Sequence, residues 1–250
     1  MGLGIGDSRI TLSRSVRDQS LRTSPNESRI PNPDSRLPAL NAIVDVDAAA
    51  RAGWRPLDLA RAFLNGGARF LQLRAKSLPG RDVLDLAAAM VELARGCGGQ
   101  VIVNDRADLA RLAQADGVHV GQDDLAPAAV RSLVGADAVV GVSTHTVEQI
   151  ERAVAEPVTY VAIGPVFGST TKSTGYQAVG LEMVRVAARR AAARGLPLVA
   201  IGGITLETAA SVIAAGAASV AVIGDLLATG DPEARTHDYV LRLSGLIADG

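Results

Sequence analysis

The feature that most constrains the fold is an alternation, repeated eight times from residue 40 onward, of short apolar runs with segments of helical periodicity. The apolar runs are mostly β-rich and nearly continuous in hydrophobicity, as expected for parallel strands that are covered on both faces. We therefore predict eight strands, at residues 42–47, 69–75, 100–105, 117–121, 138–143, 160–165, 197–203 and 219–224.

The segments between these strands predict helices. Residues 83–96 and 181–195, for example, carry apolar side chains at helical spacing, and each segment ends on a glycine. Eight strand–helix units in about 210 residues indicate the α/β class and a single (β/α)₈ TIM barrel. A doubly wound parallel sheet is the structural alternative, and the pattern alone does not exclude it.

Residues 1–37 differ from the rest of the chain. They are rich in arginine, serine and proline and have no hydrophobic periodicity, so they cannot bury enough surface to order themselves. We predict that residues 1–37 are a disordered leader, or that they precede the true start of translation, and that residues 38–250 form the catalytic barrel. A polyanion-binding tail is a further alternative, but four acidic residues dilute its charge.

Composition excludes several classes of protein. No run of eighteen apolar residues is present, which excludes a membrane span, and the N-terminus lacks the apolar stretch of a secretory signal. The single cysteine, Cys97, cannot form an internal disulfide, which fits a reducing cytoplasm. A formal net charge of −1 with 3% aromatic residues argues against a nucleic-acid partner. We expect a cytoplasmic globular protein whose partners are small molecules.

Lysine is unusually rare. Only two of the 25 basic residues are lysines, Lys76 and Lys172, and the others are arginines. A lysine kept in such a background indicates a need for a compact, mobile ammonium group, although chance explains the count equally well.

Polar side chains cluster at the carboxyl ends of the predicted strands, where barrels of this kind hold their active sites. At the end of the second strand, Gln72, Arg74 and Lys76 share one face, because side chains alternate along a strand. The intervening apolar residues must meet the helices, so the polar face points into the barrel or at its mouth. A solvated edge or an internal ion pair is the structural alternative.

Acidic residues follow the third and fourth strands. Asp105 ends the third strand, and Asp123 and Asp124 follow the fourth. Adjacent strands lie about 4.8 Å apart, so Asp105 and Asp124 can converge. The sequence places no obvious cationic side chain between them. A hard cation such as Mg²⁺ is therefore the natural candidate to bind both carboxylates. Alternatively, Asp105 caps the next helix, and spacing alone does not decide between Asp123 and Asp124.

Glycine-rich turns follow the last two strands, at Gly202, Gly203 and Gly224. Loops at these positions bind phosphate in many barrels through backbone N–H groups, although such glycines also serve simple tight turns. The loop at 168–172 adds hydroxyl groups and a lysine, which is a weak indication by itself. Two anion sites across one barrel mouth suggest that two phosphorylated substrates are joined.

Seven ordered motifs resemble the thiamine phosphate synthase family from residue 40 to about 230: QLRAK, VNDRADLA, ADGVHVGQDD, GVSTH, AIGPVFGSTTK, AIGGIT and GAASVAVIG. The resemblance implies a (β/α)₈ transferase that requires Mg²⁺. Its expected reaction joins 4-amino-2-methyl-5-hydroxymethylpyrimidine diphosphate to thiazole phosphate, giving thiamine monophosphate and pyrophosphate.

The resemblance also implies roles for individual residues. Those expected to contact the pyrimidine diphosphate are Gln72, Arg74, Lys76, Asn104, Ser143 and Lys172, of which Arg74, Lys76, Ser143 and Lys172 are the catalytic candidates. Those expected to bind Mg²⁺ are Asp105 and Asp124. Those expected to hold the thiazole phosphate are Ser169, Thr171, Gly203, Val222, Ile223 and Gly224. Gly224 stands where the family usually has serine, and His119 and His145 are interpreted as structural or supporting residues.

Two rival functions share this barrel. A thiazole tautomerase would act on the thiazole phosphate alone and would not need Lys76, Asp105, Asp124 and Lys172. A non-catalytic phosphate-sensing barrel would be expected to lose the same acids or lysines first. The sequence leaves oligomeric state open, including a homo-oligomer.

Overall fold

The computed structural model describes residues 1–2, 37–168 and 177–247, with the side chains of residues 246 and 247 excepted. Within these ranges eight parallel strands close into a barrel in sequence order, and the last strand pairs with the first. The strands are β1 (Leu40–Asp45), β2 (Phe70–Arg74), β3 (Gln100–Asn104), β4 (Gly117–Val120), β5 (Val139–Thr144), β6 (Tyr160–Ile163), β7 (Leu198–Ile201) and β8 (Ser219–Val222). The predicted (β/α)₈ barrel is confirmed, and the doubly wound alternative is wrong.

Helices follow the strands and cover the outside of the barrel. They are α1 (Val46–Arg51), α2 (Pro56–Asn65), α3 (Gly80–Arg95), α4 (Ala107–Leu112), α5 (Pro127–Val134), α6 (Val147–Ala153), α7 (Gly180–Ala192), α8 (Leu206–Ala214) and α9 (Pro232–Ile247). A 3₁₀ turn at Gly224–Leu227 follows β8. The two helices predicted at 83–96 and 181–195 correspond to α3 and α7, each within three residues at either end.

Alternation along the strands sorts side chains into two layers, as the sequence predicted. Leu71 and Leu73 face outward and pack in the shell between strands and helices. Phe70 faces inward and packs with residues of other strands, including Ile43, Ile102 and Tyr160, in a separate cluster inside the barrel. The inner layer is not purely apolar, because Asn41 and Ser219 are buried at positions aligned with Ala221 and Val199 of this cluster. Further polar side chains, such as Gln72 and Asn104, follow along the strands toward the carboxyl ends.

The helices bury stripes that match their sequence periodicity. In α3 the buried side chains are Val83, Ala87, Met90, Val91 and Ala94, at intervals of three and four residues. This stripe holds the helix against β3 and its neighbours, so the strand ends are fixed by packing on both faces.

The predicted leader, residues 1–37, falls mostly outside the described residues, since positions 3–36 are not among them. Its interpretation therefore stays a prediction. Leu37 is described, and its side chain packs against the cluster inside the barrel. Among the helices in the described part of the chain, none combines the length and the apolar character needed to cross a membrane.

Candidate active site

Two adjoining cavities occupy the carboxyl end of the barrel. The larger, about 400 Å³, is lined by the loops that follow β5 to β8. The smaller, about 20 Å³, lies inside the barrel and is lined by polar side chains, among them Gln72, Arg74 and Asn104. Ser143 and Ile223 line both cavities, so the two meet at those residues.

A further cavity of about 440 Å³ lies at the opposite, amino-terminal end of the strands. Its only charged lining residue among those described is Arg69, whose guanidinium already donates to the carbonyls of Leu64 and Ala68. Because barrels of this kind hold their active sites at the carboxyl ends of the strands, the candidate site is the pair of cavities there.

The acids after β3 and β4 converge as predicted. The carboxyl group of Asp105 lies within hydrogen-bonding reach of that of Asp124, and Nζ of Lys76 lies 3.2 Å from Oδ2 of Asp105. Burial and the neighbouring Asp124 raise the pKa of Asp105, and Lys76 opposes them. The sequence showed no obvious cationic side chain between the two acids, and the structure places Lys76, which follows β2, beside Asp105.

Backbone geometry aims Asp105 at the mouth. Its φ is +65°, in the left-handed region that non-glycine residues seldom adopt, and its N–H donates to the carbonyl of His119 at 2.7 Å. The alternative role of Asp105 as a helix cap is wrong, because α4 begins after Arg106, its N-cap residue, and no side chain caps it. A strained acid with no capping duty indicates a functional position.

The structure also distinguishes Asp124 from Asp123. Oδ2 of Asp124 accepts a hydrogen bond from the N–H of Gly121 at 2.7 Å, which turns its carboxylate back over the end of β4. It is Asp124 that meets Asp105. The role of this pair in metal binding stays a prediction.

Arg74 is held by an acid that the sequence analysis did not single out. Its guanidinium forms an ion pair with Asp45 at the end of β1, and Asp45 also caps α1 by accepting from the N–H of Ala48 at 2.8 Å. The internal ion pair considered as an alternative for this face thus holds for Arg74. Its Nε is buried without a described partner, and the residue lines the small cavity.

Ser143 stands where the two cavities meet. Its Oγ lies 2.8 Å from Nε2 of His119, and its backbone carbonyl accepts from the amide of Gln122 at 2.6 Å. Nδ1 of His119 lies 2.8 Å from the hydroxyl of Tyr160. The expectation of a structural or supporting place for His119 is consistent with these contacts; alternation along β4 indicates its inward face but not its partners.

Glycines shape the far side of the large cavity. Gly203 has a φ of +65°, and a Cβ added to it would lie 2.4 Å from the carbonyl oxygen of Gly168. The loop after β7 is thereby pressed against the loop after β6, with no room for a side chain. Val222, Ile223 and Gly224 line the same cavity from β8, and none of its described lining residues is a lysine or an arginine. From the described lining, an anion here would meet backbone groups and hydroxyl side chains rather than a lysine or an arginine.

A hydrogen-bond network around Asp225, which the sequence analysis missed, lies behind this loop. Oδ2 of Asp225 accepts from the N–H of Leu206 at 3.0 Å, the hydroxyl of Tyr239 at 2.7 Å and the guanidinium of Arg235 at 2.8 Å. It joins the loop after β8 to the start of α8 and to α9. Burial, and then the bond to Asp225, raise the pKa of Tyr239, so the phenol stays a donor.

Three expected site residues, Ser169, Thr171 and Lys172, lie outside the described residues, and their placement stays a prediction. Within the described part of the chain, no group of three or more His, Cys, Asp or Glu side chains could hold a metal ion. A metal at Asp105 and Asp124 would therefore take its remaining ligands from water or substrate, as Mg²⁺ commonly does.

The fold and these two regions define the class: a (β/α)₈ barrel with charged side chains on one side of its mouth and a glycine-shaped loop on the other. The sequence model of the family described as thiamine monophosphate synthase matches residues 40–226. A thiamine-phosphate synthase of Roseiflexus sp. strain RS-1 is 46% identical over 80% of this chain and 85% of its own length. That of Roseiflexus castenholzii is 43% identical over 87% and 95%.

A solved structure, the thiamine phosphate pyrophosphorylase of Pyrococcus furiosus, superposes with a TM-score of 0.75 at 26% identity, covering 84% of this chain and 97% of its own. The chain belongs to the thiamine monophosphate synthase family and is a transferase of thiamine biosynthesis.

Proposed function

We propose that this chain condenses 4-amino-2-methyl-5-hydroxymethylpyrimidine diphosphate with thiazole phosphate, releasing thiamine monophosphate and pyrophosphate, with Mg²⁺ bound at Asp105 and Asp124. The observation that carries the proposal is the pairing of two unlike anion-binding regions on one barrel mouth, with Ser143 between the two cavities. Two phosphorylated substrates need two such regions, and their reacting atoms must meet where the regions adjoin.

We assign the pyrimidine diphosphate to the side built by β2 to β5. Lys76 and Arg74 supply cationic donors there, and the nearly buried Gln72 with Asn104 supplies amide groups for the pyrimidine ring. Since Arg74 is paired with Asp45, its guanidinium is already oriented when the substrate arrives. Ser143 and, from the loop at 168–172, Lys172 complete the proposed set.

The acid pair fits a divalent cation. Two carboxyl groups this close repel each other when both are ionised. Burial first, and then the neighbouring Asp124, raise the pKa of Asp105, and Lys76 opposes this shift. All donors are hard oxygen atoms, which suits Mg²⁺. When bound, the ion would neutralise charge on the diphosphate and help hold it in place. Asp105 and Asp124 would be its protein ligands.

We assign the thiazole phosphate to the loops after β7 and β8. Gly203 and Gly224 allow the backbone to approach phosphate oxygens closely, and Val222 and Ile223 provide apolar walls. Ser169 and Thr171 are proposed to close the site with their hydroxyl groups. Because Gly224 replaces the family's usual serine, backbone N–H groups carry more of this contact.

The reaction exchanges one bond for another at the methylene carbon of the pyrimidine. The carbon–oxygen bond breaks, and its electron pair leaves on the diphosphate; the thiazole nitrogen then donates its lone pair to form the carbon–nitrogen bond. No proton moves to or from carbon, so the protein needs no general base. Its main tasks are to stabilise charge on the leaving diphosphate and to hold the two substrates in line.

The direct test incubates the full chain with both substrates and Mg²⁺ and measures thiamine monophosphate and pyrophosphate, which should appear in equal amounts. Omitting either substrate should abolish both products. Isomerisation of the thiazole phosphate alone would instead identify a tautomerase. Binding of both substrates without turnover would identify a phosphate sensor, and either result would overturn the proposal.

A further inference from the structure

Three strands place His119, Gly141 and Tyr160 side by side in one layer inside the barrel. Because Gly141 has no side chain, the ring of Tyr160 lies over it; a Cβ there would be 2.0 Å from Cζ of Tyr160. The phenol therefore spans a whole strand, and its hydroxyl comes to lie 2.8 Å from Nδ1 of His119. The two rings are nearly parallel, with an angle of 19° between their planes.

The other nitrogen of the same imidazole faces the barrel mouth. Nε2 of His119 lies 2.8 Å from Oγ of Ser143, which is two residues beyond Gly141 along β5. Ser143 lines the large cavity, whereas Tyr160 is fully buried. One imidazole thus connects a hydroxyl in the core to a hydroxyl in the site.

Burial fixes the direction of these hydrogen bonds. Desolvation raises the pKa of the Tyr160 phenol, which keeps its proton. Among the described residues, His119 is the one hydrogen-bond partner of that hydroxyl, and a buried O–H without an acceptor is costly. The phenol therefore donates to Nδ1. In a neutral imidazole the hydrogen then resides on Nε2, which donates to Oγ of Ser143.

We propose that Tyr160 and His119 are positioning residues that hold the hydroxyl of Ser143 as a hydrogen-bond donor toward the departing diphosphate. With its oxygen already accepting from His119, the serine has its own hydrogen free for a ligand. The opposite polarity would present lone pairs to a polyanion. The inference rests on the proposed function, because it takes the ligand of Ser143 to be the pyrimidine diphosphate.

A double-mutant cycle between Tyr160→Phe and Ser143→Ala tests this positioning. Tyr160→Phe removes one hydroxyl and keeps the ring over Gly141. It also keeps the edge-to-face packing with Phe70, whose ring centroid lies 6.3 Å from that of Tyr160. We expect Ser143→Ala to lower kcat about a hundredfold. Tyr160→Phe should lower kcat about three- to tenfold and leave both KM values within about twofold, and it should add no loss to Ser143→Ala.

The matched control is Tyr239→Phe, which removes another buried phenol hydroxyl, one bonded to Asp225. Its effect should multiply with that of Ser143→Ala, because it does not act through the serine. His119→Gln, whose amide can both accept from Tyr160 and donate to Ser143, should retain more activity than His119→Leu. This pair also serves if Tyr160→Phe does not fold. Multiplying losses for Tyr160→Phe and Ser143→Ala, or a silent Tyr160→Phe, would overturn the inference.

An independent readout needs no turnover. The chain has three histidines, so their ring nitrogens can be resolved by ¹⁵N NMR and assigned by substitution. Nδ1 of His119 should be unprotonated and Nε2 protonated in the wild type. A protonated Nδ1 would overturn the inference even in an active enzyme. Conversely, the expected tautomer in a protein that makes no thiamine monophosphate would leave the hydrogen-bond order intact and refute the proposed function.

Discussion

The two sides of the barrel mouth are equipped for anions in opposite ways. Near β2 to β4 the charges belong to side chains: Lys76, Asp105 and Asp124 lie together and partly cancel one another. Near β7 and β8 the described lining offers backbone N–H groups on a glycine-shaped loop, and its one charged side chain, Asp225, is neutralised by Arg235. The first side can be altered one functional group at a time, whereas the second depends on the path of the chain.

This difference suits the two proposed ligands. A diphosphate that must leave gains charge during the reaction, and cationic side chains already placed beside it stabilise that charge. A phosphate that only anchors its substrate keeps a constant charge, and a rigid backbone cradle is sufficient for it. Substitutions on the first side should therefore lower kcat, and those on the second should raise the KM for thiazole phosphate.

The largest effect is expected at the acid pair. Asp105→Asn and Asp124→Asn should each lower kcat by at least about a hundredfold, because each removes a charge that holds the proposed cation. Asp123→Asn is the matched control and should cost much less. Activity should vanish in EDTA and return with Mg²⁺. Steady-state kinetics would contradict the assignment if activity were full in EDTA or if Asp123→Asn were the more harmful change.

Gly203→Ala should have a smaller effect than the substitutions at the acid pair, and it should raise KM rather than lower kcat. The added Cβ would lie 2.4 Å from the carbonyl of Gly168 at a φ of +65°, so the loop must move. We expect the KM for thiazole phosphate to rise about tenfold, with the KM for pyrimidine diphosphate nearly unchanged. Gly224→Ser, which restores the family's usual hydroxyl, should lower the same KM about twofold. Equal changes in both KM values would contradict the assignment of the two substrates to different sides of the barrel mouth.

Asp225→Ala should give a smaller kinetic effect together with a loss of stability. The N–H of Leu206, the hydroxyl of Tyr239 and the guanidinium of Arg235 all lose their acceptor, at a cost of about 2–3 kcal/mol. The melting temperature should fall about 5–10 °C, and the KM for thiazole phosphate should rise about threefold. Asp225→Asn, which keeps an acceptor, should fall between wild type and alanine in a thermal melt. An unchanged melting temperature would show that the hydrogen bonds to Asp225 do not stabilise the protein.

The smallest effect is expected from deleting residues 1–36, a boundary that keeps Leu37 in its contact with the inner cluster. The deleted residues have no core-forming pattern, so the melting temperature, kcat and both KM values should stay near their wild-type values. A loss of several degrees, or of about tenfold in kcat, would assign the segment a role in the barrel.

Much of the fold was predictable because it depends on local periodicity. Eight apolar runs, each at the right spacing from the next, leave few arrangements other than a closed barrel. The convergence of Asp105 and Asp124 followed from the same rule, since adjacent parallel strands end side by side.

The remaining contacts depend on where one residue meets another across the fold. Nothing local to Asp225 indicates that Arg235 and Tyr239 will approach it from α9. Likewise, the pairing of Arg74 with Asp45 requires the register between β1 and β2, which places these two residues opposite each other. Alternation tells which face a side chain occupies, but not which partner it finds there.

The hydrogen-bond network around Asp225 also affects the order in which parts of the protein fold during synthesis. In the loop after β8, Asp225 accepts hydrogen bonds from Arg235 and Tyr239. These two residues belong to α9 and leave the ribosome after both β7 and β8. A nascent chain that has already paired all eight strands still lacks the helix that fastens this loop. The acid pair near β3 and β4 depends on no such late element, so the anchoring half of the mouth is completed last, at the moment the final helix docks.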